Sequence, residues 1–191
     1  MRKKWIVFAD CHKNAGKYEW PGHFEYGPNV VMLGDNHELK NISKSAVSRA
    51  TSELYRHVDM CKSTDTIIVA SNHGVSIEKE AIGRYISVRG DVAFIHGHRA
   101  VYSQAKAEKW ENREPGVSWY VMLWQRWFKR RKYSPSKYKK PSKSTLKKVA
   151  AYAKEFGVRR IVTGHFHQEW RGTYKGVEMQ FCGRGKSEIE I

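Results

Sequence analysis

The run Trp5-Ile6-Val7-Phe8-Ala9 closes on Asp10-Cys11-His12, and the rest of the chain repeats that grammar. Asn29-Val30-Val31-Met32-Leu33 ends at Gly34-Asp35, and Thr66-Ile67-Ile68-Val69-Ala70 ends at Ser71-Asn72-His73. Val92-Ala93-Phe94-Ile95 ends at His96-Gly97-His98, and Val158-Arg159-Arg160-Ile161-Val162 leads to Gly164-His165-Phe166-His167. Short apolar runs rich in β-branched residues and bounded by Gly or Asn suit buried strands. Five such strands, each ending in metal-competent side chains, set the expected architecture.

Helical patterns fall between them, as a layered α/β domain requires. From Ser43 to Cys61, Val47, Ala50, Leu54, Val58 and Cys61 recur every three or four residues and form one helical face. From Ser144, the expected N-cap, Leu146, Val149, Ala150, Ala153 and Phe156 line a second face that stops at Gly157. Ile77–Ile86 and Tyr102–Arg113 are weaker helical patterns, and the tail reads as a hairpin turning at Lys175-Gly176.

With 191 residues, the chain has room for one ordinary domain, spanning 1–191. No apolar run reaches the ~18 residues of a membrane span, and the basic start leads into too short an apolar run for a signal peptide. Cys11, Cys61 and Cys182 are odd in number and form no CxxC pair, which argues against a disulfide framework and for a reducing, cytoplasmic setting. The formal charge is +16, and eleven basic residues with no acidic one lie between Arg126 and Lys148. An anionic partner is expected at that segment.

In an α/β sheet, the carboxyl ends of neighbouring strands converge on one crevice. The five clusters, spread from Asp10 to His167, therefore become neighbours in space. Imidazole nitrogen, carboxylate oxygen and amide oxygen together suit first-row ions such as Mn, Fe, Zn, Co or Ni rather than a thiolate zinc or an all-oxygen calcium site. No GxSxG and no P-loop competes for the chemistry.

The order Asp10-x-His12, Gly34-Asp35, Asn72-His73, His96-x-His98 and Gly164-His165-x-His167 resembles the calcineurin-like metallophosphoesterase superfamily, over about 160 of the 191 residues. Glu38, Ser71 and Gly74 stand where that pattern usually has Asp, Gly and an acid. The resemblance implies an αββα sandwich of two packed mixed β-sheets flanked by helices. It also implies two divalent ions, manganese first among them. Asp10, His12 and His167 would hold one, Asn72, His96 and His165 the other, and Asp35 would bridge both. His73 would be the catalytic histidine over the leaving group. Two such ions about 3.5–4 Å apart can hold a bridging hydroxide and clamp a phosphoryl group during in-line displacement. His37 and His98 are further candidates for contact with substrate.

An aromatic and basic insert covers about residues 105–144. Drawn as a helix, Ser118–Lys132 puts Trp119, Leu123, Trp127, Tyr120, Trp124 and Phe128 on one arc, with Gln125, Lys129 and Lys132 opposite. Three readings stay open: a face packed on the body, a nucleic-acid grip that uses Arg126, Lys129, Arg130, Trp124 and Trp127, or a membrane-surface lid over a lipid substrate. The expected activity is hydrolysis of a phosphodiester, as a nuclease or nucleotide phosphodiesterase. The alternatives are a phosphomonoesterase, a lipid-pyrophosphate hydrolase, or a non-catalytic scaffold or nucleic-acid-binding module on the same fold.

Overall fold

A computed structural model describes residues 3–11, 24–37, 39–40, 42–73, 75–118 and 140–191. The first sheet has the order β3-β2-β1-β9, built from β1 (Lys4–Ala9), β2 (Val30–Met32), β3 (Ile67–Ile68) and β9 (Gly185–Glu190). The second has the order β4-β5-β6-β8-β7, built from β4 (Ile86–Arg89), β5 (Val92–Ile95), β6 (Arg160–Thr163), β7 (Trp170–Tyr174) and β8 (Val177–Phe181). β1, β2 and β3 run parallel, with β9 antiparallel to β1. β5, β6 and β8 run parallel, with antiparallel β4 and β7 at the two edges. Both sheets are mixed, as expected.

The two-residue alternation of each strand builds the layers. Val7 and Ala9 of β1 face the second sheet together with Val31, Leu33 and Val69, and they meet Val92, Phe94 and Val162 there. Phe8 and Met32 point the other way, onto Ala50, Leu54, Val58 and Cys61 of α1 (Val47–Ser63). On the far side, Ala93, Ile95 and Ile161 pack on Leu146, Val149, Ala150 and Ala153 of α5 (Lys143–Glu155). Each fully buried Leu, Ile or Val contributes about 1.5–3 kcal/mol, so these three apolar layers hold the sandwich together. Shorter helices complete it: α2 (Val75–Ile82), α3 (His98–Val101) and α4 (Gln104–Glu111). Among the described residues, no helix is long and apolar enough to cross a membrane.

Several boundaries differ from the sequence pattern. The second helical face is capped two residues earlier than expected, because Ser142 accepts a hydrogen bond from the Thr145 amide at 3.1 Å. The pattern at Ile77–Ile86 is a helix only to Ile82; Gly83 ends it, and Ile86 opens β4. Tyr102–Arg113 starts late, since Tyr102 and Ser103 are extended and separate α3 from α4. The expected hairpin forms, with positive φ at both Lys175 and Gly176. β9 was not anticipated: its polar alternation hides an edge strand that pairs with β1 along its whole length. Most of the insert, residues 119–139, lies outside the described residues.

Candidate metal centre

The parallel strands β1, β2 and β3 of one sheet and β5 and β6 of the other end at the same edge of the sandwich, so the convergent crevice is shared by two sheets rather than cut into one. Hydrogen bonds sew the sheets together there. The His96 Nδ1–H, on the second sheet, donates to the Leu33 carbonyl of the first at 2.9 Å. The His165 amide donates to Asp10 Oδ2 at 2.7 Å, and within the first sheet the His73 amide donates to Asp35 Oδ1 at 2.9 Å. Asp10, Asp35, His165 and His167 all have positive φ, a conformation that costs on the order of 1–3 kcal/mol per residue and tends to collect at functional sites.

His96 organises the cluster. Its Nδ1 is committed as a donor to a carbonyl, so in the neutral ring Nε2 carries a lone pair. That nitrogen lies 3.2 Å from Asp35 Oδ2, 3.0 Å from Asn72 Oδ1 and 3.2 Å from His165 Nδ1. Two side-chain oxygens and a second imidazole nitrogen thus surround one ring nitrogen, a donor set that a cation satisfies. Without a metal the cation is a proton: burial works to lower the His96 pKa, but the Asp35 charge and hydrogen bond, aided by Asp10 and Glu78, push it up to about 9. His165 is held down to about 3 by its burial and by the charge on His96, so only one of the two facing rings is charged.

Asp35, His96 and His165 form a group able to hold one metal ion. The donor set fits such an ion. Ligands about 2.1 Å from a common ion stand about 3.0–3.4 Å from one another, whether octahedral or tetrahedral. The separations around His96 match that spacing. The Asn72 amide oxygen, which sequence reading assigned to the same ion, is in the same circle.

Beside this group, Asp10 is fully buried and, among the described residues, its Oδ1 accepts no hydrogen bond, lying 3.3 Å from His167 Nε2. Burial alone would raise the Asp10 carboxyl; contact with His167 and the charge on His96 outweigh it and hold the group below its ordinary range. His73 stands at the rim, part-exposed, with Nε2 3.9 Å from Asp35 Oδ2. His12 lies outside the described residues, as do Trp124, Arg126, Trp127, Lys129 and Arg130.

The two extra histidines take buried positions. His98 donates from Nε2 to Glu111 at 2.7 Å, and Glu111 also receives both arms of the Arg99 guanidinium. Its ring lies 5.4 Å from that of His96, so it stands behind the ligands. His37 is buried with its ring 6.1 Å from Phe24 and 5.0 Å from His57, in the aromatic part of the core beside α1. Three residues at the site escaped the sequence reading. Glu78 of α2 accepts from the Ser71 amide at 2.8 Å and also from the Ser71 hydroxyl. Glu111 anchors His98. Arg184 touches His167 Nδ1 at 2.7 Å. A helical acid at the fourth position beyond Asn72-His73-Gly74 was a visible signal for Glu78; nothing local marked the other two.

No protein-family model matches the chain, and no curated protein matches it. Solved structures do. A predicted phosphoesterase from Streptococcus pneumoniae TIGR4 superposes with a TM-score of 0.44 at 15% identity, over 100% of this chain and 84% of that one. Vacuolar Protein Sorting 29 from Cryptosporidium parvum gives 0.45 at 13%, over 96% and 75%. A cold-active protein-tyrosine phosphatase of a Shewanella species gives 0.39 at 15%, over 93% and 70%. At these levels the chemistry of the site rests on this chain's own residues.

Proposed function

We propose that the protein is a metal-dependent phosphoesterase of the calcineurin-like type, acting on a phosphodiester through two divalent ions, manganese first. The observation that carries this reading is the convergence of Asp35 Oδ2, Asn72 Oδ1 and His165 Nδ1 on His96 Nε2. Asp35, Asn72, His96 and His165 would hold one ion, and Asp10, His12 and His167 the other, with Asp35 between them. When bound, such a pair supplies a hydroxide nucleophile at neutral pH and neutralises charge on the phosphoryl oxygens. His73, held by its amide on Asp35, supplies the proton to the departing alkoxide, a step worth about 10²–10⁴-fold. The basic segment at 126–148 supports an anionic polymer as substrate, so a nuclease is the sharpest form of the proposal.

Hydrolysis of bis(p-nitrophenyl) phosphate by metal-stripped protein reloaded with Mn²⁺ tests the reading, with Asp35→Ala as control. Turnover that requires both the metal and Asp35 is expected. Metal binding without turnover on diester, monoester or pyrophosphate substrates would replace the enzyme with a scaffold on the same fold.

A further inference from the structure

α4 lies against the edge that carries the metal cluster and is tied to it at both ends. Before it, the Tyr102 ring packs edge-on against His165, with 5.6 Å between ring centres. After it, the Arg113 carbonyl accepts from the Ser76 amide at 3.3 Å, three residues beyond His73. Lys106, Trp110 and Arg113 are spaced by four and three, so they share one face of this helix and of the turn that follows it, with Lys109 beside them. Both acids of α4 lie off that face: Glu111 is buried, and Glu108 accepts from Gln104 Nε2 at 2.9 Å.

The cations on this face rest on rings. Lys106 Nζ stands 4.4 Å from the centre of the Tyr102 ring, while the Arg113 guanidinium and Lys40 Nζ stand 4.4 and 3.4 Å from that of Trp110. Lys106 and Arg113 are exposed, and neither has a carboxylate partner among the described residues. A carboxylate would cancel their charge. A ring face attracts a cation but offers no lone pair, so the ammonium and guanidinium hydrogens stay available to an oxyanion.

We propose that this face of α4 is a track for the sugar-phosphate backbone of a nucleic-acid strand, with Lys106 and Arg113 on separate phosphates and Lys40 and Lys109 beside them. The inference rests on the metallophosphoesterase reading for what is done to the strand, and it gives that reading a polymer-binding surface outside the 126–148 segment. Seven residues separate Lys106 from Arg113, about 10 Å along the helix axis, which a strand carrying one charge per ~3.4 Å spans with a few phosphates. The rings hold the cations in place, so the track reads backbone and has little sequence preference.

The test follows binding of a fluorescein-labelled oligothymidylate of about 15 nucleotides to the full chain by fluorescence anisotropy, in EDTA so that no metal contributes. Lys106→Gln/Arg113→Gln is compared with Lys62→Gln/Lys175→Gln, which removes the same charge from the end of α1 and the β7–β8 turn, at the opposite edge of the sandwich. The first double variant should bind roughly 10-fold or more weakly at ~0.1 M salt, and its slope of log affinity against log salt should be shallower by about 1.4, or about 0.7 for each phosphate contact. The control pair should stay within about twofold of wild type. Each single variant on α4 should lose about half of the slope, which preserves the comparison if the double variant fails to fold. Equal weakening in the two pairs, or no binding by wild type, overturns the inference. Dependence on Lys106 and Arg113 for binding phosphatidylserine vesicles and not the oligonucleotide also overturns it, by assigning the face to a membrane surface. Mn²⁺-loaded wild type that binds the strand through these residues but hydrolyses no phosphoester overturns the metallophosphoesterase reading and leaves the track standing as a nucleic-acid-binding surface.

Discussion

The carboxylate of Glu78 takes both the amide and the hydroxyl hydrogen of Ser71, the residue directly before Asn72. Glu78 is buried, and its carboxyl is pushed up to about 7 by that burial and by Asp35, against the opposing bonds from Ser71. A helix thus reaches under the third cluster and fixes the backbone from which Asn72 projects. Glu78→Ala leaves a buried amide without its acceptor, so it should destabilise the protein by about 1–3 kcal/mol in urea denaturation. It should also weaken Mn²⁺ binding roughly 10-fold or more, as loss of a group supporting a ligand does. Glu78→Gln retains an acceptor oxygen and should restore most of both.

The proton held by His96 makes metal uptake pH-dependent. With its pKa raised from 6.5 to about 9 in the folded, metal-free protein, His96 contributes stability that is complete below pH 6.5 and gone once the pH has risen through about 9. Glu78, raised from 4.5 to about 7, acts in the same direction over a lower window. The metal-free protein should therefore have a lower melting temperature at pH 9.5 than at pH 6.5, with the Mn²⁺-loaded protein flatter over that range. Mn²⁺ must displace the His96 proton, so calorimetry at pH 7.5 in buffers of different ionisation enthalpy should register about one proton released per ion bound at this cluster. No buffer dependence would contradict a protonated His96.

The five strand ends were legible because each apolar run stops at a polar cluster, a pattern that survives without knowledge of pairing. Asp10, Asp35, Asn72, His73, His96, His165 and His167 are all brought to one edge. What the runs could not reveal is which sheet each strand joins: β1 to β3 and β5 to β6 read alike, and their separation into two sheets came only with the resemblance. β9 was missed because Lys186, Glu188 and Glu190 alternate on an exposed face, leaving Ile189 as its only fully apolar inward contact. Glu111 and Arg184 were illegible for a related reason. Their partners, His98 and His167, are 13 and 17 residues away in sequence, so no local spacing announces the pairs.

Glu111 offers a direct test of that hidden network. It is fully buried and receives His98 and both arms of Arg99, whose guanidinium also stacks on Tyr85 at 3.7 Å. Burial alone would raise its carboxyl, but the bonds from His98 and Arg99 pull it down to about 2. The group therefore contributes stability above pH 4.5 that is lost as the pH falls through about 2. Glu111→Ala strands three donors and should cost about 3 kcal/mol at neutral pH. Glu111→Gln, which can still accept from His98 but only once from Arg99, should lose less. A Glu111→Ala protein of wild-type stability at pH 7 would show that the network is energetically silent.

Gly34 shows how closely the second and third clusters are fitted. Its φ is +83°, and a Cβ there would stand 2.6 Å from the Ser71 Cβ and 3.2 Å from the His96 Cβ. Ser71 cannot withdraw easily, because Glu78 holds both its amide and its hydroxyl. Gly176, in the β7–β8 turn, has nearly the same φ, +80°, with no atom of the described residues within 4 Å of its would-be Cβ. The pair separates backbone strain from collision. Gly176→Ala should cost only the left-handed penalty of about 1–2 kcal/mol and leave Mn²⁺ binding intact. Gly34→Ala should cost that plus the displacement of Ser71 and His96, about 1–3 kcal/mol more, and should lose Mn²⁺ affinity as the donors around His96 Nε2 move apart. Urea denaturation and Mn²⁺ titration of the two variants side by side measure both effects. Equal losses at the two positions would mean that the site tolerates a methyl group between its clusters, and the tight fit of Gly34 against Ser71 would then have no part in holding the donors together.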